Sequence, residues 1–406
     1  MIKRKIAPHL LKMARYFPVV TLLGPRQSGK TTLSRFLFPN HVYVNLERKD
    51  ARELAMNDPS GFFEMYKPPV IIDEVQRVPE LLSTIQVLSD SSKEKGRFIL
   101  TGSHQPKLHA EISQSLAGRT GILTLLPLSI EELRDAGLSL SRDEYILNGF
   151  MPRLYDEGIP PTMLYPAYYA TYVEKDVRQL VNISNQHAFE TFLKLLAGRI
   201  GQVVNMADLS GDVGVSSTTL SSWLSVLEAS YIVFRLPCYF RNYGKRLTKA
   251  PKIFFTEVGL AASLLGIENA SQVSRDPLLG GLFENLVVAE ALKARYNYGK
   301  QLPDLYYFRV QGRNEIDLLI DNNRQLTPVE IKAGMTFDPS FAKDIRAFLE
   351  FAADSNCVNP TVIYAGDTTA TIRGVKFDNF KNTSALIPSE NSCLFRADAT
   401  PKDYGL

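Results

Sequence analysis

Cysteine is nearly missing from this sequence. Cys238, Cys357 and Cys393 are the only three in 406 residues, and none stands at the spacing a zinc site or a disulfide framework uses. The five histidines are equally scattered, so no His pair has metal-ligand spacing. A reducing, cytoplasmic compartment is the expectation. No apolar run reaches the roughly 18 to 20 residues needed to cross a bilayer, and no membrane partner is expected. The N-terminus opens on Lys3-Arg4-Lys5 like a secretory leader, but Lys12 and Arg15 interrupt its apolar stretch. An amphipathic helix with Ile6, Leu10, Met13 and Phe17 inward is predicted instead. The net charge of +3 is too small to announce a nucleic-acid partner, though it leaves room for local basic patches. What remains is ordinary globular material, 45% hydrophobic and 22% charged, long enough for two or three domains.

The first of these domains carries the clearest chemistry. Val19-Val20-Thr21-Leu22-Leu23 reads as a strand buried on both faces. Gly24-Pro25-Arg26-Gln27-Ser28-Gly29-Lys30-Thr31 follows and fits G-x-x-x-x-G-K-[ST] at every position, with Thr32 continuing into a helix. Glycines let backbone N–H groups turn in around phosphate oxygens. Lys30 supplies a charge to the β- and γ-phosphates, and the Thr31 hydroxyl ligates Mg²⁺. ATP and Mg²⁺ are the expected cofactors. A second buried strand, PVIIDE, ends in two acids: Asp73 is expected to hold the Mg²⁺ water shell and Glu74 to orient or deprotonate the attacking water. A third, RFILTGS, ends at Ser103, where such a sheet places a group near the γ-phosphate. HVYVNLE and GILTLLPLS add two more, and their alternation with helical segments predicts a parallel sheet.

GPRQSGKTTL, VIIDEVQ, FILTGS and SLAGRTGILTLLPLS together resemble the prokaryotic AAA-type ATPases close to the STAND group. The resemblance covers nearly the whole chain, specific in the ATPase part and looser beyond. It implies a winged-helix segment and a nuclease-like C-terminal domain behind the ATPase. It implies Ser103 as the polar sensor, and Arg119 as a charge acting on the γ-phosphate from this or a neighbouring subunit. The plain alternative for Arg119 is a surface arginine at a turn. Rings are common among AAA-type proteins and monomeric switches among the STAND group, so a homo-oligomer or a protein partner stays open.

Gly149-Phe150-Met151-Pro152 breaks the pattern, and the tyrosines at 165, 168, 169 and 172 read as packing rather than a base-stacking platform. Residues 187–240 read as helix, helix, turn, helix, strand, with Ser216 as N-cap and Leu220, Trp223, Leu224 and Leu227 as one apolar stripe. YIVFRLPCYF supplies a wing. The exposed helix face would carry Ser217, Thr218, Thr219, Ser221 and Ser222, which touch phosphates but read bases weakly. Positive charge follows in Arg241, Lys245, Arg246, Lys249 and Lys252. DNA held through its backbone and a winged helix used as an ATPase lid or protein contact both fit.

After Pro277, GGLFENLVVAEALKARY is predicted as an amphipathic helix carrying Glu284 and Glu290. LYYFRV, NEIDLLID and PVEIKAG follow as strands, then a helix near Phe341 and the strand TVIYAG. Glu330 and Lys332 project from one strand face, with Asp317 on the neighbouring strand. Asp317 and Glu330 would hold a second Mg²⁺ or Mn²⁺, and Lys332 the attacking water. By resemblance to restriction-type nucleases, Glu284 would add a carboxylate. The alternative is a nuclease shell kept as a docking module. The expected fold is α/β: a P-loop NTPase with a parallel sheet, a central winged helix-turn-helix and a restriction-endonuclease-like α/β domain. The expected divisions are 1–136 for the ATPase, 137–186 for a helical linker or lid, 187–255 for the winged helix, 256–388 for the nuclease-like domain and 389–406 for a polar tail. An ATP-hydrolysing, DNA-associated switch is the expected function; an ATP-gated nuclease and a non-enzymatic adaptor are the alternatives.

Overall fold

The computed structural model describes residues 1–103, 111–112, 114–177, 185–240, 250–309, 315–353 and 355–388. The basic run 241–249 and the tail 389–406 lie outside the described residues.

The N-terminal part runs α1 (Ala7–Tyr16), β1 (Val19–Leu23), α2 (Lys30–Leu37), β2 (Val42–Asn45), α3 (Lys49–Asn57), α4 (Pro59–Met65), β3 (Val70–Asp73), α5 (Leu81–Asp90), β4 (Phe98–Gly102) and β5 (Thr120–Thr124). The five strands form one parallel sheet in the order β2-β3-β4-β1-β5. Every residue of β1, β3 and β4 is buried, as their unbroken apolar runs require of strands covered on both faces. Successive residues serve opposite layers. Val19, Leu23, Ile72 and Leu100 pack with Phe62, Leu82 and Ile85, whereas Val20, Leu22, Ile71 and Ile99 pack with Ile6, Leu10 and Leu33. Because β4 stands between β1 and β3, Ser103 follows a strand flanked by the phosphate-loop strand and the acidic strand.

The chain then enters a helical region. Capping boxes, Ser129 with Glu132 and Ser141 with Glu144, start α6 (Ile130–Asp135) and α7 (Arg142–Asn148). Next come α8 (Pro152–Asp156) and α9 (Pro161–Tyr168), which runs into a π-helical stretch at Tyr169–Val177. Tyr165, Tyr168 and Tyr172 are buried here, so the aromatic stripe is core; the Tyr165 hydroxyl donates to the Asn148 carbonyl at 2.7 Å. Three helices, α10 (Gln186–Gly198), α11 (Met206–Val213) and α12 (Ser217–Ala229), precede the antiparallel pair β6 (Val233–Leu236) and β7 (Lys252–Phe255). The stripe Leu220, Trp223, Leu224 and Leu227 is buried, with Trp223 edge-on to Phe189. Two short helices, α13 (Val258–Leu264) and α14 (Ala270–Val273), lead to the long α15 (Leu279–Asn297).

The C-terminal part has β8 (Leu305–Arg309), β9 (Glu315–Asn322), β10 (Gln325–Lys332), α16 (Lys343–Phe351), β11 (Thr361–Tyr364), β12 (Ala370–Ile372) and β13 (Val375–Asn379). They form a mixed sheet in the order β12-β13-β11-β10-β9-β8. One face packs on α16 through Ile345 and Phe348. From the other face, Leu318, Ile320, Val329, Ile331 and Ile363 join a core that extends from Leu126 to Ile387.

Two expectations change here. The helix after Pro277 is not amphipathic: α15 lies between the middle helices and the C-terminal sheet, and Asn285, Glu290, Lys293 and Arg295 are buried with its apolar residues. Residues 137–186 do not stand apart as a linker either, because Tyr145, Phe150, Tyr165 and Tyr168 fill the same core as Phe283 and Leu286.

The Ser216 hydroxyl caps α12 by accepting from the Thr219 N–H at 3.1 Å. Ser216→Ala should lower stability by about 1 kcal/mol, read as a shift of the urea midpoint. Ser216→Asp, which keeps an acceptor, should hold the wild-type midpoint.

Candidate nucleotide-binding site

The loop Gly24–Gly29 joins β1 to α2. A Cβ on Gly24, whose φ is +151°, would lie 2.1 Å from the Leu125 carbonyl oxygen, so only glycine fits. Gly29 opens α2 at φ +92°, and Gln27 also takes a left-handed φ of 62°. Such alternation gathers successive N–H groups into an anion cradle. Ser28 Oγ and Lys30 Nζ both donate to the Pro25 carbonyl, at 3.0 and 2.7 Å, and Lys30 also reaches the Gly24 carbonyl at 3.1 Å. Burial pushes the Lys30 ammonium down to about 8, against the opposing pull of Glu74 and Asp73.

Asp73 ends β3 with its carboxylate held from three sides. Thr31 Oγ1 donates to it at 3.0 Å from α2, the Tyr43 hydroxyl at 2.9 Å from β2, and Thr101 Oγ1 through a short bond from β4. Burial and then the Asp73 charge raise the Tyr43 phenol to about 12, so it stays a donor. Glu74 follows at φ 59° and ψ 44°, a conformation non-glycine residues rarely adopt and one that often marks functional positions. The buried Gln76 amide donates to Glu74 through a short bond and to Ser103 Oγ at 2.8 Å. Its own Oε1 has no partner.

The structure thus gathers Lys30, Thr31, Asp73, Glu74 and Ser103 at one end of the sheet. Pro25 contributes its carbonyl, Arg26 reaches Glu47 at 3.3 Å, and Thr32 is exposed in the first turn of α2. Tyr43, Thr101 and Gln76 were missed by the sequence reading. Their signal was positional, polar groups near the ends of strands that otherwise read as apolar.

Of the two roles expected for Arg119, from this chain or from a neighbouring subunit, the first is removed. Arg119 precedes β5, which runs parallel to β1, whereas the phosphate loop follows β1. Five strand residues, roughly 16 Å at the usual rise, separate it from that end. Its guanidinium forks onto Asp90 at 2.7 and 2.9 Å. It is not a charge on this chain's own γ-phosphate position.

The second expected site also changes. Glu284 on α15, Asp317 on β9, and Glu330 and Lys332 on β10 lie in one neighbourhood, joined by Glu315 and by Lys252 of β7. Lys252 Nζ bonds Glu284 Oε1 at 2.8 Å and Glu315 Oε1 at 2.6 Å. Lys332 Nζ bonds Glu330 Oε1 at 2.5 Å, and Asp317 Oδ2 accepts the Ile331 N–H at 2.9 Å. Burial, then the facing Asp317 charge, pushes both Glu284 and Glu330 up to about 8. Burial opposes the charge on Lys252, but Glu284, Asp317 and Glu315 hold its pKa above the usual lysine value. Burial thus favours the protonated form of Glu284 and of Glu330 at neutral pH. Among the described residues, no three His, Cys, Asp or Glu side chains converge where a metal ion could sit. With Lys252 bonded to Glu284 and Lys332 to Glu330, the set Glu284, Asp317 and Glu330 does not fit a second Mg²⁺ or Mn²⁺. Lys252, expected on a phosphate-binding surface, is only 3% exposed. Glu290 accepts from the Ile130 N–H and from Lys293, at 2.7 and 2.8 Å.

No helix among the described residues is long and apolar enough to cross a membrane. Residues 16–134 match the family described as AAA domain. Residues 140–271 and 279–381 match two domains of unknown function, DUF8612 and DUF4143. An uncharacterized protein of Mycobacterium tuberculosis is 31% identical over 369 residues, spanning 90% of this chain and 80% of its own length. An uncharacterized protein of Haemophilus influenzae is 26% identical over 315 residues, 69% of this chain and 75% of its own. A solved Walker-type ATPase of Pyrococcus abyssi superposes with a TM-score of 0.44 at 17% identity, covering 65% of this chain and 96% of that one. The chain belongs to the AAA-domain family of P-loop ATPases.

Proposed function

We propose that this chain binds ATP with Mg²⁺ and hydrolyses it as a switch, passing its nucleotide state to the middle helices and the C-terminal sheet. The observation that carries this reading is the Thr31–Asp73 hydrogen bond beside a buried Lys30 and a left-handed Glu74. Lys30 would meet the β- and γ-phosphates in place of the Pro25 and Gly24 carbonyls. Thr31 and Asp73 would hold Mg²⁺ and its waters, which neutralise charge on the phosphates when bound. Glu74 would orient the attacking water. Gln76, bonded to Glu74 and Ser103 together, is a positioning residue that sets the carboxylate relative to the sensor hydroxyl.

The order α10, α11, α12, β6, β7 supports a winged helix in the middle of the chain. Its exposed face carries Ser217, Thr218, Ser221 and Ser222, hydroxyls suited to phosphate contact rather than base reading. DNA association through the backbone is the reading this face supports. The ATP-gated nuclease is not proposed, because its expected metal ligands do not converge.

Lys30→Ala should lower kcat/KM for ATP at least about 100-fold; full turnover by that variant would refute the site. Affinity should also depend on pH through Lys30, whose ammonium titrates near 8 in the free protein. Phosphates favour the charged form and raise that value. Affinity should therefore be flat below about pH 7 and fall up to roughly tenfold per unit above about pH 8. Titration with a non-hydrolysable ATP analogue across that range checks it, and a flat profile would contradict it. Gln76→Leu should lower kcat about 10-fold or more while KM stays near wild type, because misplacing the base affects the chemical step rather than binding. A change confined to KM would assign Gln76 to binding instead.

A further inference from the structure

We propose that the C-terminal carboxylate cluster is filled by Lys252 as its resident cation, so that this sheet is an ionic docking face for the β6–β7 pair rather than a divalent-metal centre. The inference stands independently of ATP hydrolysis.

The position of Lys252 is fixed by its strand. All four residues of β7 are buried. The Asn285 side chain accepts from the Phe255 N–H at 2.7 Å and donates to the Phe255 carbonyl at 3.0 Å, clamping one end of β7. The Tyr307 hydroxyl donates to the Ala250 carbonyl at 2.8 Å just before the other end, and the Gly201 N–H reaches the Ile253 carbonyl at 3.2 Å. On that fixed backbone the lysine side chain is buried rather than turned out to solvent. It points at Glu284 and Glu315 and makes a charge-assisted bond to each.

All but one of the remaining places are closed or engaged. Glu284 Oε2 lies against Gly201, where an added Cβ would come within 2.9 Å of it. The Asp317 carboxylate accepts a backbone N–H, and the Lys332 ammonium that a nuclease would aim at water is bonded to Glu330. Glu330 Oε2 is buried with no partner. A divalent ion entering here would lie beside a buried like charge that cannot retreat, which strongly disfavours it. The lysine joins β7, α15 and β9, three elements distant in sequence, so its chemistry is that of a fixed tie between the middle region and the C-terminal sheet.

The test measures Mn²⁺ uptake by nucleotide-free, full-length protein, by electron paramagnetic resonance of the free ion, together with Tm. Wild type and Asp317→Asn should bind the same amount of Mn²⁺. Lys252→Met, which keeps the aliphatic stem, should have a lower Tm in metal-free buffer. It should take up one further Mn²⁺ per chain, with Tm partly restored, and the double variant Lys252→Met/Asp317→Asn should lose that ion. Mn²⁺ bound by wild type and lost in Asp317→Asn would overturn the proposal, and this comparison decides even if Lys252→Met fails to fold. A folded Lys252→Met with wild-type Tm and no added ion would also overturn it. ATP turnover by Lys30→Ala is read separately, so failure of the hydrolytic site and failure of the lysine tie are distinguishable.

Discussion

The guanidinium of Arg4 joins the phosphate loop to the rest of the molecule. It donates to the Ser28 carbonyl in the loop at 2.7 Å, to the Leu126 carbonyl at 2.6 Å, and to the Glu132 carboxylate at 3.1 Å. At 8% exposure, such a charge is tolerated only because it is paired and its N–H groups find acceptors. Glu132 also caps α6 and accepts the Lys5 N–H. One residue into that helix, the Ile130 N–H donates to Glu290 on α15, whose other oxygen takes Lys293. Lys293 in turn lies 3.5 Å from the centre of the Phe150 ring. A continuous polar seam therefore runs from the backbone that would cradle phosphate to the central helix. A second contact leaves the loop through Arg26, whose guanidinium stands 5.4 Å from the Tyr172 ring in the π-helical stretch.

These contacts matter because the apolar cores do not follow the boundaries of the sequence families. Matches cover 16–134, 140–271 and 279–381, yet one apolar core runs from Leu126 to Ile387. α15 is the reason: it is buried among the middle helices and under the C-terminal sheet, and belongs to neither alone. Close-packed interiors transmit displacement poorly as bending and better as movement of whole elements. A change at the loop would thus reach both later regions through shared packing as well as through the seam.

Much of this was legible in the sequence where the signal is local. The phosphate loop is one contiguous stretch between a strand and a helix, and the acids Asp73 and Glu74 directly end an apolar run. The Ser216 cap and the Trp223 stripe were equally local. Partners of Asp73 were not legible, because Tyr43 and Thr101 meet it only through strand register and order. For Arg119 only the same-chain role is removed, although its strand was recognised: a residue before one parallel strand lies at the opposite end from a loop after another. The charges on α15 and Lys252 resembled solvent-facing groups, because sequence does not show that a charge will find its partner inside. The C-terminal acids share a neighbourhood, yet two of them, Glu284 and Glu315, meet a lysine 32 and 63 residues earlier in the chain, which no local pattern shows.

The most direct single measurement is the nucleotide carried by Glu74→Gln after incubation with ATP and Mg²⁺ and rapid removal of free ligand. The expected result is one uncleaved ATP per chain in the variant, where wild type returns ADP. ADP formed by Glu74→Gln at the wild-type rate, or no nucleotide retained by either protein, would contradict a hydrolytic switch built on Lys30, Thr31, Asp73 and Glu74.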